Sequence, residues 1–241
     1  MAITYLKKAN KTPQTGTDET RRVVSDMLAK IEAGGEETAL AYGRDLDGYY
    51  GEAIVSEETI ANATNTLSDQ LKDDIKFAYD RVTKFAEAQK ASIQEFETEL
   101  SPGLWAGQKL ISIETAGCYV PGGRYAHVAS AIMSIATAKV AGVEHIVACS
   151  APNDKGPNPA IVYAMNMCGA DTILSLGGVQ GIAAMAFGLF TGKPARILVG
   201  PGNRFVAEAK RTLYGRVGID MFAGPTEIAI IADETADAAV V

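Results

Sequence analysis

Apolar positions in the first part of the chain recur at three- and four-residue steps. Val24, Met27, Leu28 and Ile31 form one stripe, closed by Gly34-Gly35, and Leu67, Leu71, Ile75, Ala78, Val82 and Phe85 form a second. This is the spacing of one helix face, so residues 17–100 read as helical, with their charged residues on a solvated face. Ser101-Pro102-Gly103 is a breaker, after which "QKLISIETA" begins an extended stretch.

From about residue 111 the texture changes. "GCYV", "HIVACSAP", "TILSLGG", "ARILVGPGN" and "GPTEIAIIAD" are apolar runs of strand length. Between them lie "SAIMSIATAKVAGV", "NPAIVYAMNMCG", "VQGIAAMAFGLF" and "RFVAEAKRTLYG", each of helix length, with Asn158 as N-cap and Pro159 at the first helical position of the second. Strands apolar throughout, alternating with helices of about a dozen residues, predict a parallel sheet covered on both faces. The fold class is therefore α/β, a helical N-terminal region followed by a doubly wound parallel sheet.

Composition narrows the function classes. The 241 residues are 47% hydrophobic and carry a formal charge of −7, with a pI near 5.0. An acidic chain without Lys and Arg clusters is no nucleic-acid platform. Cys118, Cys149 and Cys168 are odd in number and widely spaced, which fits a reducing compartment better than a disulfide framework. The start, "MAITYLKKAN", has no apolar core of a secretory signal, and the run from Val128 to Val143 is interrupted by Lys139 and shorter than the ~20 residues of a spanning helix. The expectation is a cytoplasmic protein without a membrane partner.

In doubly wound sheets, ligands bind beyond the carboxyl ends of the strands. Each strand here leaves through small residues: 121–123, 150–152, 176–180, 200–203 and 223–227. Glycines there let a ligand approach the backbone, and the following helix N-termini offer N–H groups and partial positive charge. Turns between strands and helices use Gly and Pro in any case. Their repetition, with Gln180 and Asn203 among them, favours a nucleotide site, although no G-x-G-x-x-G fingerprint is present.

The blocks "ETAGCYVPGGRY", "AKVAGVEHIV", "LGGVQGIAAMAFG", "VGPGNRFVAEAKR" and "GIDMFAGPTEIAIIAD" together resemble the histidinol dehydrogenase family, in its order and spacing. The resemblance implies an incomplete Rossmann-like sheet of the aldehyde-dehydrogenase type. It divides the chain into a helical part of the first domain (1–110), an NAD-binding α/β domain (111–228) and the start of a return into the first domain (229–241). It further implies oxidation of an alcohol through an aldehyde to a carboxylate with NAD, a bound zinc in the full-length enzyme, and a homodimer. Position by position, Tyr119, Gln180 and Asn203 match the family's NAD-binding side chains. Thr226 stands where the family usually has a substrate-contacting Ser.

After Pro121-Gly122-Gly123 the chain reads "RYAHVASAIMS", which looks closer to the sulfopropanediol dehydrogenase branch than to the biosynthetic enzymes. That branch oxidises 2,3-dihydroxypropane-1-sulfonate to 3-sulfolactate. Arg124 and His127 are then candidate partners for the sulfonate. The competing reading makes Arg124 a surface side chain and His127 a helix cap. The substrate expected is thus a small anionic diol or an amino alcohol.

Zinc-assisted alcohol oxidation needs nitrogen and oxygen ligands and a base. The family's catalytic Glu-His pair and zinc ligands lie downstream of the "GPTE" block, so the expectation is no catalytic and no metal residue within these 241, covering the first half or so of a full-length member, and a chain inactive by itself. Glu144-His145 falls at the amino end of a strand, opposite the ligand crevice, and reads as a decoy. Three rivals remain: a cysteine-nucleophile aldehyde dehydrogenase, a non-catalytic nucleotide-binding module, and histidinol oxidation itself.

Overall fold

The computed structural model describes residues 18–122, 125–153, 155–221, 230 and 232–237. Helix α1 (Asp18–Asp47) buries Val24, Met27, Leu28 and Ile31, the stripe the sequence pattern selects. Gly34-Gly35 does not end it. Gly35 takes φ 62 and ψ −145, the axis kinks, and the helix resumes to Asp47. Helices α2 (Glu57–Thr66) and α3 (Asp69–Ala91) start at Ser56 and Ser68, whose hydroxyls accept the N–H groups of Thr59 and Leu71.

The helical reading of 17–100 is corrected at its end. Strands β1 (Phe96–Ser101) and β2 (Leu104–Gln108) form an antiparallel hairpin around Pro102-Gly103, exposed along both strands. The alternation Phe96-Glu97-Thr98-Glu99-Leu100 has a period of two, not of a helix. The second helical stripe is also narrower than its pattern suggests. Ile75 and Ala86 are buried, whereas Phe85 is 65% exposed, because among the described residues only one edge of α3 is packed against other elements.

Five parallel strands follow: β3 (Thr115–Tyr119), β4 (His145–Cys149), β5 (Thr172–Leu174), β6 (Ile197–Val199) and β7 (Gly218–Ile219), in the order β5-β4-β3-β6-β7. The expected strands at β3 to β6 are present, β7 is an addition, and the strand expected over 224–233 falls largely outside the described residues. Between β3 and β4 run α4 (Val128–Ala131), a wide π-turn (Ile132–Ala136) and α5 (Thr137–Ala141), ended by Gly142 in the left-handed conformation. Then come α6 (Pro159–Met167), α7 (Gly178–Phe187) and α8 (Arg204–Leu213). Asn158 caps α6 as its sequence suggests, accepting from the N–H groups of Ala160 and Ile161.

Strand residues alternate between two apolar cores. Ala116, Cys118, Ile146 and Ala148 belong to the core under α2, α3, α5 and α6, while Tyr119, Val147, Cys149, Leu174 and Leu198 belong to the core under α1, α7 and α8. The helices of the N-terminal region thus supply part of the cover on both faces of the sheet. Among the described residues, no helix is long and apolar enough to cross a membrane.

Candidate functional site

The chain reverses direction across the sheet between β3 and β6. From β3 it moves outward through β4 and β5, then returns to place β6 on the other side of β3. Such a switch point opens a crevice between the loops leaving the two central strands. A cavity of about 950 Å³ lies there, within the range of ligand sites for small molecules and cofactors.

Four strand exits picked out by the sequence converge on this cavity. Pro121 and Gly122 follow β3, Ala151 follows β4, Gly178 to Gln180 follow β5, and Pro201 to Asn203 follow β6. The fifth, 223–227, lies outside the described residues. The β3 and β6 exits touch: Gly200 has φ +115, and a Cβ there would stand 2.0 Å from the Tyr119 carbonyl oxygen. Only glycine satisfies both conditions.

Of the expected cofactor residues, Tyr119, Gln180 and Asn203 all line the cavity. Tyr119 is 4% exposed, with its ring in the core under α7 and its hydroxyl accepting the Gly178 N–H at 3.1 Å. Burial pushes its ionisation well above the ordinary tyrosine value, so the phenol stays neutral. Asn203 is exposed and caps α8, its Oδ1 accepting from the Phe205 and Val206 N–H groups at 2.9 and 3.1 Å. The cap uses the oxygen and leaves Nδ2 as a donor at the rim.

Gln180 is 1% exposed. Its Nε2 donates to Asp47 Oδ2 at 2.9 Å, and its Oε1 is buried with no partner among the described residues. Burial raises the Asp47 carboxyl above the usual carboxylate range, against the opposing pull of hydrogen bonds from Gln180 and the Gly177 backbone. The first turn of α8 adds Arg204, a cation where the helix also presents its positive end.

His127 lines the cavity and is exposed, at the position before α4, where its side chain makes no capping hydrogen bond. The structure therefore brings it to the crevice but does not support the capping role. Arg124 and Thr226 lie outside the described residues. His145 opens β4 at the opposite end of the sheet, in a separate depression of about 210 Å³ with Glu114, Glu144, Lys193 and Arg196. All three cysteines are buried.

Sequence reasoning missed Asp47, Leu46, Val23 and Met27 of α1, and also Arg204 and Tyr125. Arg204 adjoins the "GPGN" turn and was within reach of that signal. The α1 residues carried none, because their place at the site depends on how α1 packs on α7.

The pattern of the family described as histidinol dehydrogenase matches residues 10–241. The chain belongs to the histidinol dehydrogenase family. It is 58% identical to a histidinol dehydrogenase homolog of Pelagibacter ubique (strain HTCC1062), covering 100% of this chain and 57% of that protein. It is 57% identical to the sulfopropanediol 3-dehydrogenase of Ruegeria pomeroyi (strain ATCC 700808 / DSM 15171 / DSS-3), covering 98% and 55%. The crystal structure of histidinol dehydrogenase from Elizabethkingia anophelis superposes with a TM-score of 0.83 at 32% identity, covering 93% of this chain and 52% of that one. The chain thus spans about half the length of the relatives it matches, and the expected helical region followed by a parallel sheet is the fold observed.

Among the described residues, no group of three or more His, Cys, Asp or Glu side chains could hold a metal ion. These residues do not fit a zinc site. They do fit a dinucleotide: a buried unpaired acceptor, an amide donor at the rim and a cationic helix start converge on one cavity.

Proposed function

We propose that the crevice binds NAD, and that the protein oxidises a primary alcohol through an aldehyde to a carboxylate, with 2,3-dihydroxypropane-1-sulfonate giving 3-sulfolactate. The observation that carries the cofactor assignment is the meeting of Tyr119, Gln180 and Asn203 on one cavity at the switch point, with Gln180 Oε1 buried and unpaired. NAD supplies the hydride acceptor in each of two oxidations. The chain's own residues orient it. Gln180 offers an acceptor, Asn203 Nδ2 a donor, and Arg204 with the α8 N-terminus a positive field for a pyrophosphate. Tyr119 shapes the floor, held by the Gly178 N–H.

The substrate assignment rests on 57% identity to a relative named sulfopropanediol 3-dehydrogenase. In this proposal Arg124 and His127 meet the sulfonate and Thr226 lends a hydroxyl to the substrate. A second reading, histidinol as substrate, draws support from the solved histidinol dehydrogenase of similar fold. The base and metal ligands come from residues other than those described, so for this chain alone we propose cofactor binding without turnover. A homodimer, a cytoplasmic setting and the domain division at 110 and 228 complete the proposal.

Calorimetric titration of the chain with NAD⁺ tests the cofactor part. Binding at micromolar to millimolar Kd is expected, and no heat of binding up to several millimolar would overturn it. In a longer protein carrying this sequence, NADH formation with dihydroxypropanesulfonate but not histidinol supports the first substrate. The reverse result supports the second.

A further inference from the structure

The Gln180 amide has two ends of opposite hydrogen-bonding character, and something must decide which faces the cavity. Gln180 sits in the first turn of α7 with Oε1 buried and unpaired, close to Gly178, another cavity residue; a Cβ on Gly178 would stand 3.0 Å from that oxygen. Its Nε2 points the other way, to Asp47 Oδ2 at 2.9 Å. Asp47 is the last residue of α1, and the Gly177 backbone also hydrogen-bonds its carboxylate. A carboxylate only accepts, so turning the amide over would set two oxygens against each other.

We propose that Asp47 is a positioning residue that locks the Gln180 amide with nitrogen toward α1 and Oε1 presented as an acceptor to a hydroxyl or amide N–H of the dinucleotide. The inference rests on the cofactor reading above and adds to it the residue that gives Gln180 its polarity. A buried acceptor without a protein partner is uncommon and is retained where a ligand brings the donor. The lock is available before the ligand arrives, which lowers the cost of ordering on binding.

The conservative variant is the informative one. Asp47→Asn keeps the shape but has a single acceptor oxygen. With that oxygen taken by the Gly177 N–H, its NH₂ group faces Gln180 and turns the amide over. NAD⁺ affinity is measured by calorimetry on the wild-type chain, Gln180→Ala, Asp47→Ala, Asp47→Asn and the double Ala variant, with circular dichroism melts verifying that each is folded. Gln180→Ala and Asp47→Ala should each weaken binding about tenfold, and the double variant no more than Gln180→Ala alone. Asp47→Asn should be as weak as Asp47→Ala. Should Asp47→Ala not fold, Asp47→Asn carries the test with Gln180→Ala.

Wild-type affinity in Asp47→Asn overturns the inference, since the acceptor-only character would then be irrelevant. Additive losses in the double variant also overturn it, because Asp47 would be acting independently of Gln180. In both cases, binding by the wild type and its loss in Gln180→Ala leave the cofactor reading standing. Failure of the wild-type chain to bind NAD⁺ removes that reading and this inference together.

Discussion

The side-chain ammonium of Lys210 donates to the backbone carbonyl of Gly200 at 2.9 Å, reaching from α8 back to the turn that opens it. The same ammonium pairs with Asp220, whose Oδ2 accepts the Gly200 N–H at 2.8 Å. One ion pair therefore holds both backbone polar groups of the glycine that lies against Tyr119, and with them the β6 wall of the crevice.

Lys210→Met keeps the stem and removes the charge. It leaves the Gly200 carbonyl and the Asp220 carboxylate without their shared donor. Asp220 is 31% exposed in its side chain, so solvent softens the loss to about 2 kcal/mol, below that of a fully buried pair. Urea unfolding measures it, and a change under about 0.5 kcal/mol would mean that water replaces the ammonium. NAD⁺ binding should weaken as well, because the turn that carries Asn203 is released.

The buried thiols should be inert. Burial pushes Cys118 and Cys168 up to about 12, and Cys149 higher still. At pH 8 only about one thiol in ten thousand is a thiolate. Iodoacetamide should leave the native chain unmodified and label Cys118, Cys149 and Cys168 in denaturant, read by mass spectrometry. Rapid labelling of one native cysteine would instead mark an activated nucleophile. Because these folded values lie above the unfolded value of about 8.5, the stability they contribute is full below that pH and is lost as pH rises toward 12.

Asp47 should cost stability at neutral pH. Its carboxyl is raised on folding, mainly by burial, so its stabilising contribution is present below the unfolded value of about 3.9 and is lost as pH rises through the folded one. Asp47→Asn should melt at or above the wild-type temperature at pH 7.5, with the gap closing as pH falls toward 4. Among the described residues, the other titratable or charged side chains on the cavity are Tyr119 from β3, Tyr125 and His127 from the loop after it, and Arg204 from α8. A variant that melts well below wild type at pH 7.5 would make Asp47 a structural residue.

Much of the fold is set by patterns confined to short windows. The stripe of α1, the cap Asn158 and the apolar strands β3 to β6 are local, and each holds in the structure. The strand exits at 121, 151, 178 and 201 were legible for the same reason: glycine and proline mark where strands stop. The misreadings were local ambiguities that only packing resolves. Gly34-Gly35 can end a helix or bend it, and the packing of α1 on both α7 and α8 favours the bend. Phe85 fits the spacing of the α3 stripe but stands at its uncovered edge, 65% exposed, while Ile75 on the same helix is buried.

The sequence by itself determined the family, four of the strand exits and the side chains Tyr119, His127, Gln180 and Asn203 at the crevice, because a motif fixes residue types along a short stretch of backbone. Tertiary structure alone decided that Asp47 meets Gln180 across 133 positions and that Lys210 and Asp220 clamp Gly200. Periodicity says which face of a helix is buried. Which distant polar groups that burial brings within hydrogen-bond reach depends on how helices and strands cross, and no local pattern encodes it.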